Sequence, residues 1–191
     1  MLDLGNVIFE WSSKPGEEVG TTLKSILKSD IYVQYETGQI EAEEDFSRIV
    51  GQQLGVDGIH ISEIFRNARA SLQVNTPLVE FIRELKFTTG IAVYAMSNIP
   101  RNDIDYLCRE YRPVMDVFDK VFTSSYSQVR KPNPNFFRIV IEEGQLLPER
   151  TIFVDDKMEN VDAANGLGWH GINFEGTEVL CNYLRGIFSF A

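Results

Sequence analysis

Thr151-Ile152-Phe153-Val154-Asp155-Asp156 is the stretch that decides the fold: an apolar run that leads directly into two carboxylates. A short apolar run of this kind predicts a buried strand of a parallel sheet. In such sheets, ligands bind at the carboxyl ends of the strands. Adjacent carboxylates repel each other unless a cation or a proton lies between them. With no histidine or cysteine close by in the sequence, the pair favours a hard ion with oxygen ligands, such as Mg²⁺; the alternative is a solvated loop.

Outward from this strand, apolar runs alternate with helical patterns, which is typical of a parallel sheet with crossover helices. The predicted strands are Ile91–Met96, Lys120–Thr123, Thr151–Val154 and His170–Asn173. The predicted helices are Pro77–Lys86, Asn102–Tyr111, Pro134–Glu143, Glu159–Leu167 with Gly168 as C-cap, and Glu178–Ile187. The pattern predicts an α/β fold with a Rossmann-like parallel sheet.

The stretch from Gly16 to Leu72 has helical periodicity and no clear strand, as in Phe46, Ile49 and Val50. We therefore expect a small helical domain inserted into the sheet domain. The predicted bounds are 1–13 and 73–191 for the core domain and 14–72 for the inserted domain.

Composition limits the classes of partner. The net charge of -10 argues against nucleic acid or an anionic membrane surface, because both favour clustered lysine and arginine. No apolar run is long enough to span a membrane, and no signal peptide is recognisable, so a cytoplasmic protein is expected. Cys108 and Cys181 lie far apart without a metal-binding pattern, which favours reduced structural thiols. A monomer or a homodimer is expected.

Three further segments place polar residues after predicted strands. Asp3 follows Leu2 and precedes Gly5, a residue that permits a tight turn; an Asx turn or a helix cap is the alternative. Ser97 and Asn98 can donate hydrogen bonds to phosphate, or can cap the next helix.

The third of these segments contains two adjacent cations, Arg130 and Lys131. A lysine there can neutralise a phosphoryl group and an attacking carboxylate. The alternative is an ordinary surface lysine beside a proline.

The first strand is short, because only Met1 and Leu2 precede Asp3, whereas buried strands usually have about five residues. We therefore expect a truncated gene product or an excised fragment, with Asp3 poorly anchored.

In this order, Asp3, Ser97, Lys131 and the pair Asp155-Asp156 resemble the four motifs of the haloacid dehalogenase (HAD) superfamily of phosphohydrolases. The matching segments are D-L-G-N-V-I, the strand end at Ser97-Asn98, R-K-P-N-P-N-F-F and F-V-D-D-K-M-E-N-V-D. The inserted stretch resembles the helical cap of type I members, and Y-E-x-G-x-I resembles a common cap sequence.

The resemblance implies a HAD core with a helical cap and a Mg²⁺-dependent phosphatase of small phosphorylated metabolites. Asp3 would attack phosphorus to form an aspartyl-phosphate, which water then hydrolyses. The implied Mg²⁺ ligands are Asp3, the Gly5 carbonyl, Asp156 and Asp155, the last directly or through water. Ser97, Asn98 and Lys131 would bind phosphate. Asn160 and Arg130 would position these groups.

One departure from the superfamily pattern concerns the proton donor. Most of its phosphatases have a second aspartate two residues after the nucleophile, where this chain has Gly5. Glu10, expected at a helical position on the cap side, is a candidate substitute, although a solvated charge explains it equally well. The departure also permits a catalytically weak or inactive binding domain, whereas dehalogenation does not fit the acidic pair.

A finer resemblance links L-D-L-G-N-V-I-F-E-W and V-Y-A-M-S-N-I-P to HAD-type domains of fungal drimane-type terpenoid pathways. Some of these domains are fused to a cyclase. The resemblance implies either a sugar phosphate or a terpenyl phosphate as substrate, and allows the chain to be part of a larger terpene-synthase-type protein.

Overall fold

A computed structural model describes residues 1–11 and 23–188. The predicted start of the inserted domain, at residues 14 to 16, lies outside the described residues. None of the helices in these two ranges is long and apolar enough to cross a membrane.

The helices and strands of the described ranges alternate along most of the chain. The strands are β1 (Phe9–Trp11), β2 (Leu72–Val74), β3 (Tyr94–Ser97), β4 (Lys120–Thr123), β5 (Ile152–Asp155) and β6 (His170–Asn173). The helices are α1 (Asp30–Glu36), α2 (Glu43–Leu54), α3 (Gly58–Ala70), α4 (Thr76–Thr89), α5 (Arg101–Glu110), α6 (Arg112–Met115), α7 (Ser124–Ser127), α8 (Pro134–Gly144), α9 (Met158–Asn165) and α10 (Thr177–Ile187).

The central sheet is parallel and contains the segment with Asp3 at its middle. Strands β3 and β4 pair in parallel, as do β5 and β6. Leu2 joins the two pairs through parallel bridges to Ala95 and Val154. Asp3 donates its backbone N–H to the carbonyl of Val154 at 2.9 Å. The expectation that Asp3 is poorly anchored is therefore wrong, because residues 1–3 are hydrogen-bonded on both sides.

The α/β prediction is confirmed, with local shifts of element bounds. Strand β3 begins at Tyr94 rather than Ile91, and β5 includes Asp155. Helix α9 has Gly166 as its C-cap rather than Gly168, because the Gly166 N–H already closes on the Asp162 carbonyl. Gly168 adopts a left-handed backbone, with φ of 82°, in the following turn.

Two short strands were not predicted. Strands β1 and β2 pair antiparallel, with Phe9 opposite Val74 and Trp11 opposite Leu72. Each has three residues, too few to show an alternating pattern. They lie where the chain leaves the sheet and where it returns, so they tie the two ends of the inserted stretch together.

The inserted helices have their own apolar core. Buried side chains of this cluster come from residues 23 to 65 and include Tyr32, Tyr35, Phe46 and Phe65. The Tyr35 and Phe46 rings stack with centroids 4.3 Å apart. Two separate apolar clusters fill the two sides of the parallel sheet. Residues 23–70, which contain helices α1 to α3, are called the cap below; the exact domain bounds stay a prediction.

Candidate active site

Asp3 lies at the carboxyl end of the central segment and is 8% exposed. Its Oδ1 accepts a hydrogen bond from the Leu4 N–H at 2.8 Å and pairs with Lys131 Nζ at 2.9 Å. Burial raises the pKa of Asp3, and Lys131 acts against that rise. Both of these contacts involve Oδ1, and neither involves Oδ2.

Lys131 is a fully buried cation at the bottom of the site, 1% exposed. Its Nζ donates to Asp155 Oδ2 at 2.6 Å and to the Met96 carbonyl at 2.7 Å. Burial lowers the pKa of a lysine, but Asp3 and Asp155 outweigh this effect and raise it. The ammonium therefore stays charged and bridges Asp3 to Asp155.

The two carboxylates after β5 have different surroundings. Asp155 is fully buried, and its Oδ1 accepts from the Lys157 N–H at 2.9 Å and from Asn160 Nδ2 at 2.8 Å. With Lys131 on Oδ2, both oxygens of Asp155 are occupied. Asp156 is half-buried and accepts from Asn6 Nδ2 at 2.9 Å. Asp156 is therefore more available to a metal, whereas Asp155 holds Lys131 in place.

The acidic cluster fits a divalent cation. Asp3, Asp155 and Asp156 each offer a carboxylate oxygen, and these oxygens lie within 4.8 Å of one another. Lys131 offsets one of the three negative charges, so the cluster keeps an excess of negative charge. Carboxylate oxygens are the ligands that Mg²⁺ prefers.

Ser97 and Asn98 end strand β3 beside Lys131 but do different things. Ser97 is 3% exposed and lines the cavity. The Asn98 amide donates to the Lys131 carbonyl at 2.9 Å and accepts from the Lys131 N–H at 2.8 Å. The Asn98 side chain is thus occupied by the Lys131 backbone, and the expected contact of Asn98 with phosphate stays a prediction.

Arg130 points to the cap rather than to the acidic cluster. Its Nη1 lies 2.8 Å from Glu36 Oε2, so it connects the core loop to helix α1. A second ion pair joins the cap to the core, between Arg69 Nη1 and Asp103 Oδ1 at 2.7 Å.

Gly5 was expected to provide the tight turn after the nucleophile. The residue with a positive φ there is Asn6, at 55°, and not Gly5. A Cβ at Gly5 would meet no atom within 4 Å, so the position has room for a side chain. Glu10 lies on strand β1, where it is exposed, and not on a cap helix as expected.

The cavity over Asp3 has a polar floor and a partly apolar wall, with a volume of about 330 Å³. Asp3, Ser97, Lys131 and Asp156 contribute to the floor. The rest of the lining contains both apolar and charged side chains. The apolar ones include Phe9, Leu27, Leu72, Ile99, Pro100, Tyr106 and Leu107, and the charged ones include Glu36, Arg69, Asp103 and Arg130. The cavity can accept a ligand with an anionic head and a hydrocarbon body.

The fold and this constellation of residues define a HAD-type hydrolase, and the chain belongs to the haloacid dehalogenase-like hydrolase family, which it matches over residues 6–168. It is 35% identical over 186 residues to the sesquiterpene phosphatase astK of Aspergillus oryzae, covering 97% of this chain and 93% of that protein. The expected enzyme class, a HAD-type phosphatase, is thereby confirmed.

Two further relatives bear on the family's chemistry. The chain is 31% identical to the drimenol cyclase drtB of Aspergillus calidoustus but spans only 36% of that protein. A HAD-family enzyme of Bacteroides thetaiotaomicron, crystallised with magnesium and inorganic phosphate, has a TM-score of 0.72 at 25% identity, covering 90% of this chain and 91% of that one.

The sequence did not identify Asn6 and Glu36 as residues of the site. Asn6 contacts Asp156, and Glu36 lines the cavity from the cap. Asn6 stands inside the first motif, so its proximity to the nucleophile was a usable signal. Glu36 belongs to Y-E-x-G-x-I, a segment matched as a cap sequence, but only the docking of the cap brings it to the site.

Proposed function

We propose that this protein is a Mg²⁺-dependent phosphatase that hydrolyses a terpenyl monophosphate through phosphorylation of Asp3. The observation that carries the proposal is the cavity, in which the buried Asp3–Lys131 pair lies below a partly apolar wall. The similarity to a sesquiterpene phosphatase supports the same substrate class.

The proposed mechanism uses the described contacts as follows. Asp3 Oδ2 attacks phosphorus, and the ester oxygen leaves as the alcohol. Water then attacks the aspartyl-phosphate and releases inorganic phosphate. Lys131 offsets the charge of Asp3 and of the transferring group, and Ser97 with the backbone N–H groups after it binds the phosphate oxygens.

Magnesium would be held by Asp3, Asp156 and the Gly5 carbonyl, with Asp155 next to it. When bound, it screens the repulsion between the phosphate and the carboxylates, so that Asp3 can react in its ionised form. Asn160 and Lys157 fix the Asp155 carboxylate, which in turn fixes Lys131.

Phosphate release by the purified chain tests this proposal. We expect hydrolysis of farnesyl and drimanyl monophosphates in the presence of Mg²⁺, and none with Asp3→Asn at equal protein concentration. Glu41→Gln, an exposed change elsewhere on the cap, serves as the matched control and should retain wild-type activity.

The substrate panel separates the finer alternatives. A sugar phosphate such as ribitol 5-phosphate is the second candidate class, favoured by a 24% identical D-ribitol-5-phosphate phosphatase of Bacteroides thetaiotaomicron. A kcat/KM that is higher for sugar phosphates than for terpenyl phosphates would overturn the terpenyl assignment. Equal inertness of wild type and Asp3→Asn on every substrate would instead favour a binding domain.

A further inference from the structure

In the proposed mechanism the leaving group needs a proton, and Gly5 has no side chain that can supply it. An alkoxide leaving group needs a proton, and general acid-base help is typically worth about 100- to 10,000-fold in rate. Outside the acidic cluster, two carboxyl groups line the described cavity, Glu36 and Asp103. Burial raises the pKa of Asp103 as well, but its Oδ1 already accepts a hydrogen bond from Arg69 at 2.7 Å, so this oxygen is held by a donor.

Glu36 is the last residue of helix α1 and is 5% exposed. The Ser124 hydroxyl donates to its backbone carbonyl at 2.6 Å, which fixes this end of the cap on the core. Its Oε2 lies 2.8 Å from Arg130 Nη1, but the two groups are not aligned for a hydrogen bond. Oε2 is thus a buried oxygen without a hydrogen-bond partner among the described residues, on a side chain that lines the cavity.

The surroundings of Glu36 shift its pKa in both directions. Burial raises the pKa of Glu36, and the Asp3 carboxylate adds to the rise. Arg130, Lys157 and Lys131 lower it, and the raising effects prevail. The carboxyl therefore keeps its proton to a higher pH than an ordinary glutamate does, which a proton donor requires.

We propose that Glu36 supplies the proton transfer that Gly5 cannot. This inference rests on the proposed function. In the first step, Asp3 Oδ2 bonds to phosphorus, the bond to the ester oxygen breaks, and the Glu36 proton moves to that oxygen. In the second step, water bonds to phosphorus, gives its proton to the Glu36 carboxylate, and the bond between phosphorus and Asp3 breaks. The cycle returns Asp3 and Glu36 to their starting states.

The dependence on the leaving group tests this role. Glu36→Gln should lose about 100-fold or more in kcat/KM for an alkyl phosphate such as drimanyl phosphate, where the alkoxide needs a proton. For p-nitrophenyl phosphate, whose leaving group needs no proton, the loss should stay within about fivefold. Glu41→Gln makes the same substitution at an exposed position and should change neither value.

The pH profile provides a second readout. In the wild type, kcat/KM for the alkyl phosphate should fall as pH rises through the Glu36 pKa, because the proton donor is lost. Arg130→Gln removes a cation that lowers this pKa, so its alkaline limb should move to higher pH. In Glu36→Gln that limb should disappear, whereas Glu36→Asp should retain it at a reduced rate.

The outcomes separate this inference from the proposed function. An inactive wild type would refute the phosphatase proposal itself. An active wild type whose Glu36→Gln variant loses the same factor on alkyl and aryl phosphates, or keeps the alkaline limb, would refute only the role of Glu36. If Glu36→Gln does not fold, as judged by its thermal transition, the pH profile of Arg130→Gln decides the question. An alkaline limb that does not shift in that variant would refute the role of Glu36.

Discussion

At the scale of the single residue, Lys131 organises the site. One buried ammonium lies between Asp3 and Asp155 at 2.9 and 2.6 Å, so removal of its charge leaves two buried carboxylates without a cation to neutralise them. Breaking a buried ion pair from one side typically costs about 3–5 kcal/mol. Lys131 is therefore a structural as well as a chemical component.

We expect Lys131→Met to lower the free energy of unfolding by about 3–5 kcal/mol and to abolish phosphate release. Lys28→Met, at an exposed position of the cap, is the matched control and should change stability by no more than about 0.5 kcal/mol. Urea unfolding measures both values. An equal loss in the two variants would contradict the bridging role of Lys131.

Gly5 gives the second prediction at this scale. A Cβ at Gly5 meets no atom within 4 Å, and its φ is not in the left-handed region, so an aspartate can be accommodated. We expect Gly5→Asp to restore about tenfold or more of the alkyl-phosphate activity that Glu36→Gln loses, because it supplies another proton donor. Steady-state kinetics of the double variant measure this. Gly5→Asn, which has similar volume but no acid, should give no recovery.

The sequence was least informative about the role of each individual residue in the site. Asp3, Ser97, Lys131 and the acidic pair all lie at one edge of the sheet, as the order of strands indicates. The different surroundings of Asp155 and Asp156 could not be predicted from the sequence, because they depend on which carboxylate oxygens already accept hydrogen bonds.

At the scale of the element, the turn after α1 brings the cap closest to the core. Gly38 has φ of 72°, and a Cβ there would lie 2.5 Å from the Ser125 carbonyl oxygen. Two constraints therefore act on this glycine: a left-handed backbone and a close approach to helix α7. The turn also sets the position of Glu36 at the end of α1.

Gly38→Ala should destabilise the protein more than Gly55→Ala does. Gly55 has a similar φ of 69° but open space around it, so it measures the backbone cost alone. The additional steric cost at Gly38 should be about 1–3 kcal/mol. Thermal unfolding of the two variants gives the difference, and we also expect a higher KM only for Gly38→Ala. Equal destabilisation would show that the turn can move away from Ser125.

Longer elements were predictable because their periodicity extends over several turns. Helices α4, α5, α8 and α10 lie within a few residues of their predicted bounds. Strands β1 and β2 were missed because their pairing joins residues more than sixty positions apart, such as Phe9 and Val74. Sequence patterns report local preference, and such pairing depends on how the cap folds back.

At the scale of the whole molecule, the cap and the core share the site. The ion pairs of Arg130 with Glu36 and of Asp103 with Arg69 link them, and the cavity takes residues from both. The cap was predictable as a helical insertion, but its docking was not, since the contacts join residues distant in sequence. Within the site, three carboxylates face one lysine, and this local excess of negative charge can attract a cation.

Metal binding should be visible as a change in global stability. A ligand that binds only the folded state adds about 2.7 kcal/mol at a concentration 100-fold above its Kd. We therefore expect Mg²⁺ to raise the Tm of the wild type and EDTA to lower it again, with activity lost in parallel. In Asp156→Asn the Mg²⁺-dependent rise should be absent. A rise of equal size in that variant would place the cation elsewhere.

The open space beside Gly5 also has an evolutionary consequence. Changing the middle base of any glycine codon from G to A produces a codon for aspartate or glutamate. One base substitution therefore separates this chain from a variant with an acid two residues after its nucleophile, at a position where the structure imposes no steric barrier. A single mutation can therefore add an acid beside Asp3 to a chain whose proposed proton donor is on the cap, and a single mutation can remove it again. Laboratory selection can test both changes.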